Sequence, residues 1–253
     1  MHGIGNNFVL IHPEEVPQEP DLSALAIQLC APRSVGSDGL LVVTSHPVAD
    51  AEIIMLNPDG GRAELCGNGL RCSAAWCQRH LNSPNPISLV MAGRTYTATR
   101  TGDGRFAVAM GTPTVGEPLE LELPGAGNLP GIPVEIGNPH LVVIVPEGAQ
   151  EMAIEFGPAL EHHPAFPSRT NVHFVEIDSP SRIIQHTWER GAGITWACGS
   201  GACACTAAVI EYYEGAPQMD VLLPGGRLTI EQAPDQSLTM VGPATFICEG
   251  ELT

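Results

Sequence analysis

Lysine is absent: all 11 basic residues of the 253-residue chain are arginine. That excludes a Schiff-base lysine for pyridoxal phosphate or class I aldolase chemistry, and it excludes the lysine of a Walker A phosphate loop. Positive charge is scarce altogether. Set against 28 acidic residues it leaves a formal charge of −17, which reads as a solubility feature and disfavours nucleic acid or an anionic membrane surface as a partner. The opening Met1-His2-Gly3-Ile4-Gly5-Asn6 has no basic segment leading into a long apolar run, so no signal peptide is expected. No stretch approaches the roughly 18 apolar residues that span a bilayer. A soluble, cytoplasmic protein is therefore expected, with its eight cysteines reduced. No C-x2-C pair occurs among Cys66, Cys72 and Cys77 or among Cys198, Cys203 and Cys205, so no metal site is expected.

What the chain does have is one short word used twice. Cys66-Gly67-Asn68-Gly69 returns 132 residues later as Cys198-Gly199-Ser200-Gly201. The same offset carries Gly5-Asn6 onto Gly137-Asn138 and Val9-Leu10-Ile11 onto Leu141-Val142-Val143. Two independent matches at one offset indicate an internal duplication, and hence two similar halves. A hydrophobic content of 43% supplies a core for each.

The pattern predicts a buried strand over 8–11, a helix over 21–30 with Asp21 as its cap, and strands over 40–43 and 51–56. A turn at Asn57-Pro58-Asp59-Gly60-Gly61 leads to a helix from about Gly67 to His80, then strands over 87–92, 95–100 and 105–110. The proline- and glycine-rich segment from Gly111 to Pro133 reads as the link between halves. Beyond it the pattern predicts strands over 134–136, 141–145, 172–177 and 183–188, a helix from Gly199 to Tyr213, and a hairpin of 220–223 with 227–230. The expected fold is α+β: two pseudosymmetric domains, each a mixed, mostly antiparallel sheet wrapped around one central helix. The expected boundaries are 1–115, completed by a C-terminal strand at about 244–253, and 116–243.

Each repeated cysteine stands immediately before a glycine-bearing helix start. There the backbone N–H groups lack intrahelical partners and the helix dipole favours negative charge. The position is expected to lower a thiol pKa from its free value of about 8.5 and to cradle a carboxylate. One such unit from each half would place a thiol on each side of an α-carbon: one thiolate removes the α-proton and the opposite thiol returns one. The cradle stabilises the carbanion, whose charge spreads into the carboxylate. The remaining cysteines, Cys30, Cys72, Cys77, Cys203, Cys205 and Cys248, read as core residues.

These motifs, taken with their neighbours, resemble the diaminopimelate epimerases over essentially the whole chain. The resemblance rests on Met1-His2-Gly3-Ile4-Gly5-Asn6-Asn7-Phe8, on Asn57-Pro58-Asp59-Gly60 ahead of Cys66-Gly67-Asn68-Gly69-Leu70-Arg71-Cys72, and on Gly137-Asn138-Pro139-His140. It continues through Asn171-Val172-His173-Phe174, Trp188-Glu189-Arg190-Gly191, Ala197-Cys198-Gly199-Ser200-Gly201-Ala202-Cys203, and the terminal Gly242-Pro243-Ala244 with Glu249-Gly250-Glu251. The resemblance implies two pseudosymmetric domains, no cofactor, a small amino-acid substrate, a homodimer, and interconversion of L,L- and meso-diaminopimelate on the route to lysine and cell-wall precursors. It implies that Cys66 acts on the L-configured α-carbon and Cys198 on the opposite face. Gly67, Asn68, Gly199 and Ser200 would hold the reacting carboxylate. Asn6, Asn57, Asn138, Asn171 and Arg190 would position the substrate, with Arg190 offering a bidentate fork to the distal carboxylate. His140 and Glu189 would assist the thiols or bind the amino group.

The chain departs from the family's usual pattern in three places. Asn7 stands where an aspartate is usual, Gly39 where some members carry a substrate-contacting glutamine, and Ser200 where threonine is commoner. Two rivals follow: a related racemase of another amino acid, such as histidine, on the same scaffold, and a non-catalytic amino-acid-binding or redox protein. Proline racemases fit less well for want of a histidine in the first Cys-Gly-x-Gly, and phenazine-type isomerases fit less well because Cys66 is present.

Overall fold

The repeat of sequence is a repeat of topology. The computed structural model describes residues 1–11, 21–123 and 127–251, which divide into two compact units, one of residues 1–109 with the segment from Gly242 onward and one of Met110–Val241.

In the first unit a two-residue hairpin, β1 (His2–Gly3) with β2 (Asn6–Asn7), precedes β3 (Val9–Ile11), α1 (Leu22–Cys30), β4 (Leu40–Thr44), β5 (Ala51–Leu56), α2 (Gly67–His80), β6 (Ile87–Met91), β7 (Arg94–Arg100) and β8 (Phe106–Gly111). Strand β3 runs parallel to β4, β4 antiparallel to β5, β5 parallel to β6, and β6, β7 and β8 follow as an antiparallel meander. The two helices provide the crossovers that parallel neighbours require.

The second unit starts with β9 (Thr114–Val115), β10 (Leu119–Leu123) and β11 (Gly127–Glu135). It continues with β12 (Pro139–Ile144), α3 (Ala149–Glu161), β13 (Asn171–Ser179), β14 (Arg182–Glu189), β15 (Gly193–Thr195), α4 (Gly199–Tyr213), β16 (Gln218–Leu223), β17 (Gly226–Gln232) and β18 (Leu238–Gly242). From β12 to β18 the pairings repeat the order of the first unit: parallel, antiparallel, parallel, then an antiparallel meander. The ladders coincide residue for residue at the sequence offset: Leu41 opposes Met55 in the first unit, and His173 opposes Thr187 in the second. The expected α+β fold, a mostly antiparallel sheet against one central helix, is what each unit shows. The helices that carry the repeated word are central in the literal sense. Positions Gly67 to Cys77 of α2 and Gly199 to Val209 of α4 are buried throughout.

Several expectations are corrected. The segment from Gly111 to Pro133 is not a bare linker but carries β9, β10 and most of β11; Leu119–Leu123 pairs with Gly127–Gly131, so its prolines and glycines sit in and beside strands. No element is expected from the sequence over 146–170, yet α3 lies there. The Gly157-Pro158 pair in its last turn masks it as a helix, and packing overrides that signal: α3 supplies Ala149, Ala153 and Leu160 to a core with Leu141, Val143, Val172 and Phe174. Strand β3 begins at Val9, and both Val9 and Leu10 are only half-buried. Past Gly242 the chain makes a single bridge, Thr245 with His2, where a strand was expected; residues 252 and 253 lie outside the described residues. Cys248 is exposed rather than a core residue.

Candidate active site

In the first unit the backbone of Cys66 is extended (φ −138°, ψ 94°) and caps α2, with its Sγ accepting the Gly69 N–H at 3.3 Å. A Cβ at Gly69 would stand 3.1 Å from that sulfur and 3.1 Å from Leu41, so a larger residue there would press on the thiol unless one of the two side chains gave way. Asn68 is buried and fixed from two sides. Its amide donates to Asn6 Oδ1 at 3.1 Å, and its own Oδ1 accepts from the fully buried Arg71 at 2.7 Å. Asn6 in turn donates to Asp38 at 3.1 Å. At the departure from the family's aspartate, Asn7 Oδ1 accepts the Asp38 N–H at 2.9 Å, so an oxygen acceptor is kept there. Gly39 is another matter. The Met55 methyl fills the space where a Cβ would stand and the Leu56 carbonyl lies 3.0 Å from it, so a larger residue there requires the end of the Met55 side chain to move. Asn57 sits where β5 ends, its N–H closing the turn onto Gly61 O at 2.8 Å. Gly67 opens α2.

The second unit shows the chemical partners more fully. Residues on alternate positions of its central strands divide into two faces. Leu141, Val143, Val172, Phe174 and Trp188 pack with α3. His140, Asn171, His173, Gln185, Thr187 and Glu189 occupy the alternate positions, paired as His140 with Asn171 and His173 with Thr187. The first turn of α4 lies over this polar face, since a Cβ at Gly201 would come within 2.8 Å of both ring nitrogens of His173.

Cys198 caps α4 with extended backbone (φ −121°, ψ 104°) and is 4% exposed. Burial pushes its thiol well above the usual range, and the charge of Glu189 pushes it further. The Gly201 amide and the Ser200 hydroxyl, 3.9 Å from the sulfur, oppose the rise without cancelling it, and a hydrogen bond from the thiol to Glu189 reinforces it. The expectation that a helix start lowers the thiol pKa is therefore overturned at Cys198: desolvation of a buried thiolate outweighs the helix-end amides. Cys198 is a thiol at neutral pH, and Glu189 is the group beside it able to take its proton.

His140 is 1% exposed, with Nε2 2.8 Å from Asn138 Oδ1 and Nδ1 2.8 Å from His173 Nε2. Burial, then His173, then the cation of Arg190 hold its pKa well below the usual histidine range, so the ring is neutral. Asn171 clamps two site loops: its amide donates to Pro139 O at 2.9 Å and its Oδ1 accepts the Arg190 N–H at 3.0 Å. Behind the Glu189-Arg190-Gly191 turn, buried Glu161 accepts from Arg169 at 3.1 Å, Trp188 Nε1 at 2.7 Å and the Gly191 N–H at 2.9 Å. Arg190 reaches Ser168 O at 3.3 Å and is half-buried. Gly199 and Ser200 form the first turn of α4, both buried.

Within each unit, then, some of the candidate residues are linked: Asn6 with Asn68 in the first, and Asn138 with His140, Asn171 with Arg190, and Cys198 with Ser200 and Glu189 in the second. The sequence reading missed Asp38, Glu161, His173 and Thr187, which hold those residues in place. For His173 and Thr187 the only signal is strand alternation, which becomes informative once the neighbouring strands are known; Asp38, ahead of β4, and Glu161, at the end of α3, carry no such signal. Among the described residues no three His, Cys, Asp or Glu side chains converge as a metal-ligand set, and no helix is long and apolar enough to cross a membrane.

Comparison with known proteins gives the family and the fold. The family model described as "Diaminopimelate epimerase" matches residues 1–116 and 132–247. Among curated relatives, the diaminopimelate epimerase of Desulfitobacterium hafniense is 38% identical, the match covering all of this chain and 96% of the relative. That of a Synechococcus strain is also 38% identical, over 98% and 95%. Among solved structures, a Bacillus anthracis phenazine biosynthesis protein of the PhzF family superimposes with a TM-score of 0.76 at 16% identity, covering 100% of this chain and 95% of that one. A hydroxyproline epimerase from Agrobacterium vitis gives 0.70 at 17% identity, over 95% and 86%. At such identities these two establish a shared fold.

Proposed function

The chain belongs to the diaminopimelate epimerase family and is an isomerase, and on that premise we propose that it interconverts L,L- and meso-diaminopimelate by proton transfer between two thiols and one α-carbon. The observation that carries the reading is Cys198, held as a thiol at the N-cap of α4 beside Glu189, with Cys66 at the matching N-cap of α2. When Cys66 is the base, its thiolate takes the α-proton, the electron pair spreads into the carboxylate, and the Cys198 thiol supplies a proton to the opposite face. In reverse, Glu189 takes the Cys198 proton, so the charge passes from carboxylate to sulfur and the pocket never holds two adjacent anions; the Cys198 thiolate then removes the α-proton and the Cys66 thiol supplies one to the opposite face.

The N–H groups at the starts of α2 and α4, from Gly67, Asn68, Gly199 and Ser200, are the donors for the carboxylate that gains charge. Asn6, Asn57, Asn138 and Asn171 order the rest of the ligand, directly or through the loops they clamp. Arg190 binds the distal carboxylate. His140 stays neutral, and its Nε2–H orders the Asn138 amide beside the reacting centre. We further propose, from the family resemblance, that the enzyme works as a cytoplasmic homodimer without a cofactor. Sedimentation at micromolar concentration checks the dimer.

The chemistry is tested by incubation with L,L-diaminopimelate in heavy water. The wild-type enzyme is expected to produce the meso isomer with deuterium at the inverted carbon. Cys66→Ala and Cys198→Ala are each expected to lose epimerisation, and a double alanine variant that still epimerises would overturn the mechanism. Chiral separation after incubation with other amino acids, histidine included, tests the neighbouring racemase reading that the Met55-filled space at Gly39 keeps open.

A further inference from the structure

Asn138 and His140 stand at one end of a longer buried chain. His140 Nδ1 is 2.8 Å from His173 Nε2; His173 Nδ1 is 2.9 Å from Thr187 Oγ1 and 3.2 Å from Gln185 Nε2; and Gln185 Nε2 donates to Thr187 Oγ1 at 3.0 Å. His173 and Gln185 are fully buried and Thr187 is 2% exposed. A neutral imidazole has one donor and one acceptor nitrogen, so each link determines the next. Asn138 turns its Oδ1 to the chain, so His140 donates from Nε2 and accepts at Nδ1. His173 must then donate from Nε2 and accept at Nδ1. The far end agrees, because Gln185 turns its NH2 toward His173 and Thr187 rather than its carbonyl. With both histidines as Nε2–H tautomers, the planar amide of Asn138 is held with its Oδ1 occupied and its NH2 on the opposite side.

The duplication supplies an internal control. At the same offset of 132 residues, Asn138, His140, His173, Gln185 and Thr187 correspond to Asn6, Phe8, Leu41, Ile53 and Met55. The first unit fills the four chain positions with buried apolar side chains, Phe8 at 3%, Leu41 at 0%, Ile53 at 1% and Met55 at 5% exposure. The fold therefore has no need of polar groups there. Burying them brings a desolvation cost that apolar residues avoid, and it leaves Gln185 Oε1 without a hydrogen-bond partner. A costly polar chain that the twin unit dispenses with, ending on a candidate ligand-binding amide, belongs to the chemistry of this unit alone.

We propose that His173 is a positioning residue for the epimerase site: through the ordered chain Thr187–His173–His140 it fixes the Asn138 amide so that its NH2 is offered to the substrate. This rests on the reading of Asn138 as a substrate contact, and the test separates the two. The first readout is independent of turnover. In protein labelled with 15N-histidine, the His140 and His173 rings are expected as Nε2–H tautomers; a proton on Nδ1 of His140 overturns the proposal.

The second readout copies the first unit into the second, as His173→Leu, Gln185→Ile and Thr187→Met together. This variant is expected to fold, the desolvation relieved at three positions being set against a His140 Nδ1 left without its donor, while kcat/KM for L,L-diaminopimelate falls roughly 10- to 100-fold, the scale of losing one ordered donor or its support. His173→Gln, whose amide N–H can replace the imidazole Nε2–H, is expected to recover most of kcat/KM, and it stands as the test if the triple variant does not fold. A folded triple variant with wild-type kcat/KM, or His173→Gln no better than His173→Leu, overturns the proposal. Absence of turnover in the wild-type enzyme would instead reject the epimerase reading and leave the tautomer measurement standing.

Discussion

Glu161 shows how much a single buried carboxylate organises without touching the reacting centre. It is 3% exposed and accepts from Trp188 Nε1, the Gly191 N–H and Arg169, tying the end of α3 to the turn that carries Glu189 and Arg190. Glu161→Leu takes the acceptor from a part-buried indole N–H and from the part-buried Gly191 N–H, and it buries an apolar side chain against the Arg169 cation. Urea unfolding is expected to show a loss of about 2–4 kcal/mol, and the loosened Arg190 turn is expected to raise KM more than it lowers kcat. None of this was visible in the sequence, where no element was expected over 146–170. Cys66 and Cys198 were visible, because a Cys-Gly-x-Gly word repeated at a fixed offset is written in the chain itself. The ionisation of Cys198 was not, since the helix start is local but the depth of burial and the approach of Glu189 are tertiary.

At the scale of elements, glycines mark where helices meet the sheet. A Cβ at Gly157 of α3 would lie 2.6 Å from Cβ and 2.7 Å from Cγ of Trp188, so the helix lies directly on the indole. Gly157→Ala is expected to lower stability by about 1–3 kcal/mol, as overpacking does, although alanine is the better helix former; thermal unfolding checks the sign. Helix α3 was illegible beforehand because Gly157 and Pro158 spell a break, while the contact with Trp188 that requires the glycine is made by a strand some thirty residues further on. Helices α2 and α4 and the strands from β4 to β8 were legible, being carried by apolar runs with glycine or charged stops. Strand β10 and the part of β11 up to Pro133 were not: nothing local says that Leu119–Leu123 and Gly127–Gly131 pair.

For the molecule as a whole, its neutral buried histidines couple stability to pH. Burial lowers the His173 pKa to about 3, and His140 is also well below its ordinary value of 6.5. Between those pKa values the unfolded chain binds protons that the native state does not, so stability present above about pH 6.5 is lost as pH falls toward 3. The slope is about 1.4 kcal/mol per pH unit for each such histidine. Urea midpoints from pH 7 to 4 are expected to fall more steeply in the wild type than in the triple variant that replaces His173, Gln185 and Thr187 with the apolar residues of the first unit. The opposite edge belongs to the thiols. Cys72 is pushed up to about 11 and Cys77 to about 12, chiefly by burial, so stability is expected to drop as pH rises above 9, where the unfolded cysteines ionise and the folded ones do not.

By itself the sequence determined the duplication, the two helix-start thiols, the exclusion of lysine chemistry and the family, because each resides in residues close together along the chain or in a fixed offset between them. The tertiary structure decided what those residues meet: the space at Gly39 filled by Met55, Cys198 kept as a thiol by burial beside Glu189, and a polar chain behind His140 where the twin unit is apolar. Such contacts join strands adjacent in a sheet but distant in sequence, and burial is a property of the packed unit. The physical state of a site residue is therefore set by neighbours that its own stretch of chain does not name.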